Sequence, residues 1–442
     1  MNFTCYRCFI FFSFLFLSAC GDSSDTTPPA AARGDNFVAF ESGQVRPLAM
    51  TPDGNLLLAA NTPNNTVEIF TIDNTGLTAT ATVPVGMEPV AIATPNNNEA
   101  WVVNHLSDSI SIIDLTSTPA KVVRTLHVGD EPRDIVFAGT NNKFAFITTA
   151  HRGQNGANDL PIDAQLKTAS VGRADVWVFD RTVNNTTIGG APKTVINLFG
   201  DTPRALTVSA DGNTVYAAVF LSGNKTTTLG EDFLTKSAPT QNTDNVQQPD
   251  TGLIVQFNGT NWVDDDGTIY NSKVPFSLPD YDVFQIDASL ATPAATTTRY
   301  SGVGTVLFNM TMHPTSGAIY VSNTEANNLT RFEGPGSTST TVRGNIAESR
   351  ITVIKNSTVT PVNLNIPTDT SRQGTQDERD KAISIPLQMV ISGNGNTLYA
   401  TGFGAQKIAF YNTADLDADT ITPSVTNQIS LSAGGTFRSS SG

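Results

Sequence analysis

Short apolar runs alternate with polar turns along most of this chain, and the alternation itself repeats. One unit comprises a proline-led apolar run, an Asp-Gly or Asn-rich turn, a second apolar run, and a third run ending near Asp. The clearest copies begin at Pro47 and Pro89. With the leading proline as marker, Pro47 to Pro89 spans 42 residues, Pro89 to Pro132 spans 43, and Pro132 to Pro203 spans 71, one period plus an insertion. Thr305 holds the marker position after Gly302-Val303-Gly304, which matches Val85-Gly86 and Val128-Gly129; Pro386 marks the sixth unit. A period in the forties describes units that cannot bury their apolar faces alone and must stack on neighbours.

Each unit reads as four short strands, A to D from the centre outward. Turns between A and B carry residues suited to positive φ: Asp53-Gly54, Asp211-Gly212, Ser316-Gly317 and Asn394-Gly395. Strand C reads Val67–Phe70, Ile110–Asp114, Val176–Asp180, Val283–Asp287, Ile351–Ile354 and Ile408–Tyr411. The pattern predicts an all-β β-propeller with six to seven four-stranded blades. Ile429–Gly435 resembles the junction that opens a further unit, and Phe37–Phe40 precedes the first marker by the spacing of a strand D. A seven-bladed ring with its last blade incomplete in this chain is the first expectation, and a closed six-bladed ring the alternative. Insertions fall at about 151–174, 221–281, 324–349 and 367–384. The first three interrupt B and C, and the last lies between D and A. In a meander both kinds of connection emerge at one pole, so the long loops decorate a single face, where function is expected.

Residues 1–19 read as a lipoprotein signal peptide, 20–36 as a flexible tether and 37–442 as the propeller. Cys8 to Leu17 is an apolar run too short for a bilayer span, which takes roughly 20 residues. It ends in Leu17-Ser18-Ala19-Cys20, which resembles a bacterial lipobox, a signal in which Cys20 would carry the lipid. The expected address is the bacterial cell envelope: the outer membrane, facing periplasm or cell surface, with the lipid anchor in the membrane. Gly21 after the cysteine, in place of Asp, favours that membrane over the inner one. Cys5, Cys8 and Cys20 are the three cysteines, so residues beyond 20 form no disulfide, thiolate metal site or cysteine nucleophile. With 26 Lys plus Arg against 40 Asp plus Glu, the acidic balance argues against a nucleic-acid partner.

The repeats Ala59-Ala60-Asn61 with Thr66–Ile69, and Val102-Val103-Asn104 with Ser109–Asp114, resemble the YVTN-type propeller repeat, which also occurs in surface-layer and lactonase-like propellers. Gly302–Asn309, Val321–Glu325, Arg331–Gly334 and Glu348–Ile351 resemble bacterial propeller lipoproteins that continue into a c-type cytochrome domain. That domain needs Cys-x-x-Cys-His, and this sequence has none, so no covalent haem attaches to it.

Arg46, Arg133 and Arg204 flank their markers and are expected near the axial mouth, where guanidiniums could bind a carboxylate or phosphate. Ion pairs with Asp134, Asp201 and Glu131 are the plainer expectation. His105 and His151 hold equivalent B–C positions, suited to a metal or proton relay, although loop histidines are more often solvated bystanders. Asp264-Asp265-Asp266-Gly267 is an acidic turn whose metal would be Ca2+, or simply a solvated hairpin. No His-Glu-x-x-His, Gly-x-Ser-x-Gly or phosphate-cradling glycine loop occurs. Three functions fit: a non-enzymatic scaffold that binds a protein or small ligand on the looped face, a lactonase-like hydrolase with a divalent cation at the axial face, or the propeller portion of a haem-linked periplasmic redox protein. The first is preferred.

Overall fold

A computed structural model describes residues 43–155, 171–183, 188–222, 225–230, 253–264, 267–274, 280–327, 346–365 and 374–431. The expected signal segment and tether, with Cys20, Phe37–Phe40, Asp265 and Asp266, lie outside them. Six four-stranded antiparallel sheets follow one another as meanders. Blade one is β1 (Leu48–Met50), β2 (Leu56–Asn61), β3 (Thr66–Asp73) and β4 (Gly76–Pro84); blade two is β5 (Pro89–Ala93), β6 (Glu99–Asn104), β7 (Ser109–Asp114) and β8 (Lys121–His127). Blade three is β9 (Ile135–Ala138), β10 (Phe144–Ala150), β11 (Ala174–Asp180) and β12 (Thr194–Leu198). Blade four takes β13 (Pro203–Val208) and β14 (Thr214–Val219), then resumes with β18 (Val283–Asp287) and β19 (Ala294–Tyr300). Between its halves, β15 (Thr226–Leu229), β16 (Leu253–Phe257) and β17 (Trp262–Val263) form a separate three-stranded sheet. Blade five is β20 (Val306–Met312), β21 (Ile319–Ala326), β22 (Ala347–Lys355) and β23 (Thr358–Asn363). Blade six is β24 (Pro386–Ile391), β25 (Thr397–Gly402), β26 (Lys407–Asn412) and β27 (Gln428–Ser430). The protein is a β-propeller with six described blades, the lower of the two numbers expected from the repeats.

Local chemistry explains the repeated turns. In the A–B turns, Asp53 and Asp211 each accept from a hydroxyl two residues back (Thr51, Ser209) and from the backbone N–H two residues on (Asn55, Asn213). Asn394 does the same between Ser392 and Asn396. The Asp ending strand C of blades one to four caps the next turn: Asp73, Asp114, Asp180 and Asp287 accept from the N–H and hydroxyl of Thr75, Thr116, Thr182 and Ser289. These are Asx-turns, so the trailing Asp is a turn former.

Five apolar clusters fill the junctions between consecutive blades. Leu58, Val67 and Ile69 of blade one meet Ile92, Val102 and Ile113 of blade two. Trp101 and Ile110 meet Phe137 and Trp177 between blades two and three. Phe146 and Val178 meet Leu206 and Phe284 between three and four. Further clusters join four to five and five to six. This is the stacking that the repeat requires. The outward faces of the terminal blades join none of these cores: Leu48 and Met50 on blade one, and Val390, Tyr399 and Ile429 on blade six, are exposed.

The Val-Gly that precedes the markers of blades two, three and five is explained by close approach. A Cβ on Gly304 would lie 2.3 Å from Asn323 Oδ1, one on Gly86 2.7 Å from Asn104 Cγ, and one on Gly129 2.5 Å from Thr149 Oγ1. Asn323 cannot swing aside, because its Nδ2 donates to Thr352 Oγ1 and Val321 O, each at 2.9 Å. Gly304→Ala is therefore expected to cost about 1–3 kcal/mol of stability by overpacking. Urea denaturation would check this, with Gly393→Ala as the control in open space.

Candidate functional site

The lead-in to β1 does not run along the rim. Gly43–Arg46 crosses the hub formed by the inner strands. Val45 N–H and Arg46 N–H both donate to Val90 O, and Ile92 N–H donates to Arg46 O, which places the segment beside β5. Asn309 Nδ2, on β20 of blade five, donates to Val45 O at 2.9 Å. Contacts to blades three and four come through the arginine side chains.

Arg46 forms a two-point pair with Asp134, Nε to Oδ1 and Nη2 to Oδ2, each 3.1 Å, and Nη2 also donates to Leu206 O. Asp134 is fully buried and accepts further from Ile135 N–H and Leu206 N–H. This arginine is thus an anchor, as the ion-pair expectation had it. Arg133 donates to Glu131 at 2.5 Å. Arg204 is different: Nε donates to Phe308 O, and Nη2 to Gly43 O and Gln44 O, at 3.1–3.3 Å. Asp201, one of the acids expected to pair with the arginines, accepts from Thr202 Oγ1. Both Arg133 and Arg204 lie over the ring of Phe220, at 5.9 and 5.0 Å from its centroid. They are only 8% and 5% exposed. Burial, reinforced by the neighbouring charge of Arg133, lowers the Arg204 pKa to about 10. Two guanidiniums over one aromatic ring, one of them bonded among the described residues only to neutral carbonyls, form an electropositive spot in an acidic protein.

The two histidines are buried, not solvated. His105 Nδ1 donates to Pro132 O at 3.1 Å. His151 Nδ1 lies 2.9 and 2.8 Å from the two carboxylate oxygens of Asp175, and Asn197 Nδ2 donates to Asp175 Oδ1 at 2.9 Å. Among the described residues, His105 thus meets a carbonyl, and His151 a carboxylate and the Asn197 amide. Burial raises the pKa of Asp175, and the bonds from Asn197 and His151 oppose that rise. A carboxylate behind an imidazole fixes its tautomer and orientation. Asp264 closes its own turn, accepting from Thr268 N–H and Tyr270 Oη. No cluster of three or more His, Cys, Asp or Glu suited to a metal occurs among the described residues.

Sequence reasoning missed Phe220, Asp175 and a carboxylate pair, Asp280 and Asp282. One signal could have found the acids: Asp175 and Asp282 each immediately precede the apolar run of strand C, ahead of Val176 and Val283. Burial, then the adjacent charge of Asp280, pushes the Asp282 pKa up to about 8.

No protein-family model matches the chain, and no curated protein does. Solved structures do. Hydrazine synthase from Kuenenia stuttgartiensis aligns at 16% identity over 89% of this chain and 84% of that one, with a TM-score of 0.55. A putative 6-phosphogluconolactonase from Bacteroides uniformis aligns at 15% identity over 87% and 84%, with a TM-score of 0.47. The periplasmic gluconolactonase of Pseudomonas aeruginosa aligns at 12% identity over 85% and 83%, with a TM-score of 0.43. At these identities the likeness is one of fold, and it rests on the first of the three.

Proposed function

We propose that this chain is an exported propeller of the bacterial envelope, lipid-anchored through Cys20, that binds a small carboxylate- or phosphate-bearing ligand at its hub. One observation supports the reading above others: Arg204 is buried against Phe220 beside Arg133, yet its hydrogen bonds among the described residues reach only carbonyl oxygens. A guanidinium is better matched by an anion, which accepts two parallel charge-assisted bonds. The Gly43 and Gln44 carbonyls stand where such oxygens would sit.

Calorimetric titration with a panel of sugar acids, dicarboxylates and phosphate tests this. A ligand that binds is expected to lose about 10- to 100-fold in affinity in Arg204→Gln, the size of a lost hydrogen bond to a charged group. Arg133→Gln should weaken it too. Absence of binding across the panel, or equal affinity in both variants, would sink the proposal.

A second reading, a lactonase-like hydrolase, draws support from the His151–Asp175 pair. An imidazole oriented by a buried carboxylate can serve as a general base toward a water molecule.

A further inference from the structure

The positions just ahead of the apolar run of strand C can be compared blade by blade. Val176–Asp180, Val283–Asp287 and Ile351–Lys355 are equivalent stretches, so Asp175, Asp282 and Arg350 are equivalent, as are Arg173, Asp280 and Glu348 two residues earlier. Blades three and five each place one cation and one anion there. In blade five, Arg350 Nε donates to Glu348 Oε2 at 3.0 Å. In blade three, Asp175 has the imidazole of His151 against it. Blade four places two acids there, and no ion pair to either occurs among the described residues.

Both acids are deep. Asp282 is fully buried and Asp280 only 9% exposed. They converge on consecutive amides of one loop: Gly302 N–H donates to Asp280 Oδ2 at 3.0 Å and Val303 N–H to Asp282 Oδ2 at 2.6 Å. Ser222 Oγ touches Asp282 Oδ1. Asp280 Oδ1 is buried and accepts no hydrogen bond. A buried carboxylate oxygen without a donor, beside a second buried carboxylate, is costly unless a shared proton or a bound cation compensates it.

We propose that Asp280, Asp282 and Ser222 Oγ hold a calcium ion at the root of the blade-four insertion. The donors are all hard oxygens, which favours Ca2+ over metals that seek nitrogen or sulfur. The ion would supply in blade four the positive charge that Arg350 supplies in blade five. This site is separate from the acidic turn at Asp264 and independent of the hub anion site. Tyr281, between the two acids in sequence, makes the site readable by terbium.

After EDTA treatment and dialysis, the full-length protein would be titrated with Tb3+ while tyrosine is excited. Sensitised emission is expected, displaced by CaCl2 and lost in Asp280→Asn and Asp282→Asn. About 10 mM CaCl2 should raise the melting temperature of the EDTA-treated protein by roughly 2–3 °C, given extracellular-type affinity and a chain of this length. The same addition should leave Asp280→Asn unchanged. Identical melting in CaCl2 and EDTA, full emission retained in Asp280→Asn, or emission lost in Asp264→Asn instead, would each overturn the assignment. Circular dichroism of the near-isosteric Asn variants separates loss of the ion from loss of the fold.

Discussion

Replacement of Asp134 by alanine is expected to lower the unfolding free energy by about 3–5 kcal/mol, the range for breaking a buried ion pair from one side. The carboxylate is fully buried and accepts four hydrogen bonds: two from Arg46, one from Ile135 N–H and one from Leu206 N–H. Its removal strands a guanidinium at the hub and leaves buried amide groups without acceptors. Arg46→Met alone should also destabilise. The double variant should cost less than the two single changes added together, because each leaves the other's charge unmatched. Urea denaturation of the four proteins measures that coupling. A loss below about 1 kcal/mol for Asp134→Ala, the level of an exposed pair, would show that water reaches the site.

Phe146→Ala is expected to cost a similar amount, about 3–5 kcal/mol, by a different cause: lost transfer energy plus the cavity left behind. Phe146 is fully buried on β10 in the core between blades three and four, among Val178, Leu206 and Phe284. That core belongs to two blades at once, so neither sheet can relax into the space without moving the other. Phe146→Leu should recover more than half the loss. Denaturation midpoints with unchanged m-values would confirm the cause; a loss under 1 kcal/mol for the alanine variant would mean that the junction repacks.

What the sequence made legible is what neighbouring residues decide. Asp53-Gly54 and Asp211-Gly212 announce their hairpins because the Asp side chain bonds the turn it sits in. The strand C runs appear at the places read from apolar periodicity, and Val283–Asp287 matches residue for residue. Asp134, Asp201 and Glu131 could be named as ion-pair partners of the arginines from the residues alone, but not which arginine meets which acid. The hub crossing could not be read, because Arg46 meets Asp134 across 88 residues and Asn309 meets Val45 across 264. No local pattern encodes such a meeting. The meeting of Arg133 and Arg204 over Phe220 was hidden for the same reason, and the depth of His105 and His151 because a loop position in sequence says little about burial in space. The charge reversal at Asp280 and Asp282 was visible in principle, once the blades are aligned on strand C.

The crossing segment also changes how the assembly should come apart. A row of units that touch only their neighbours melts piecemeal, its stability a sum of adjacent terms. Here one short stretch bonds to the second, third, fourth and fifth blades at once. It acts as a drawstring: loosening any one of those sheets slackens its hold on the others. Cooperativity therefore spans the middle of the molecule, and the sixth sheet, beyond the drawstring's reach, is where fraying has least to oppose it.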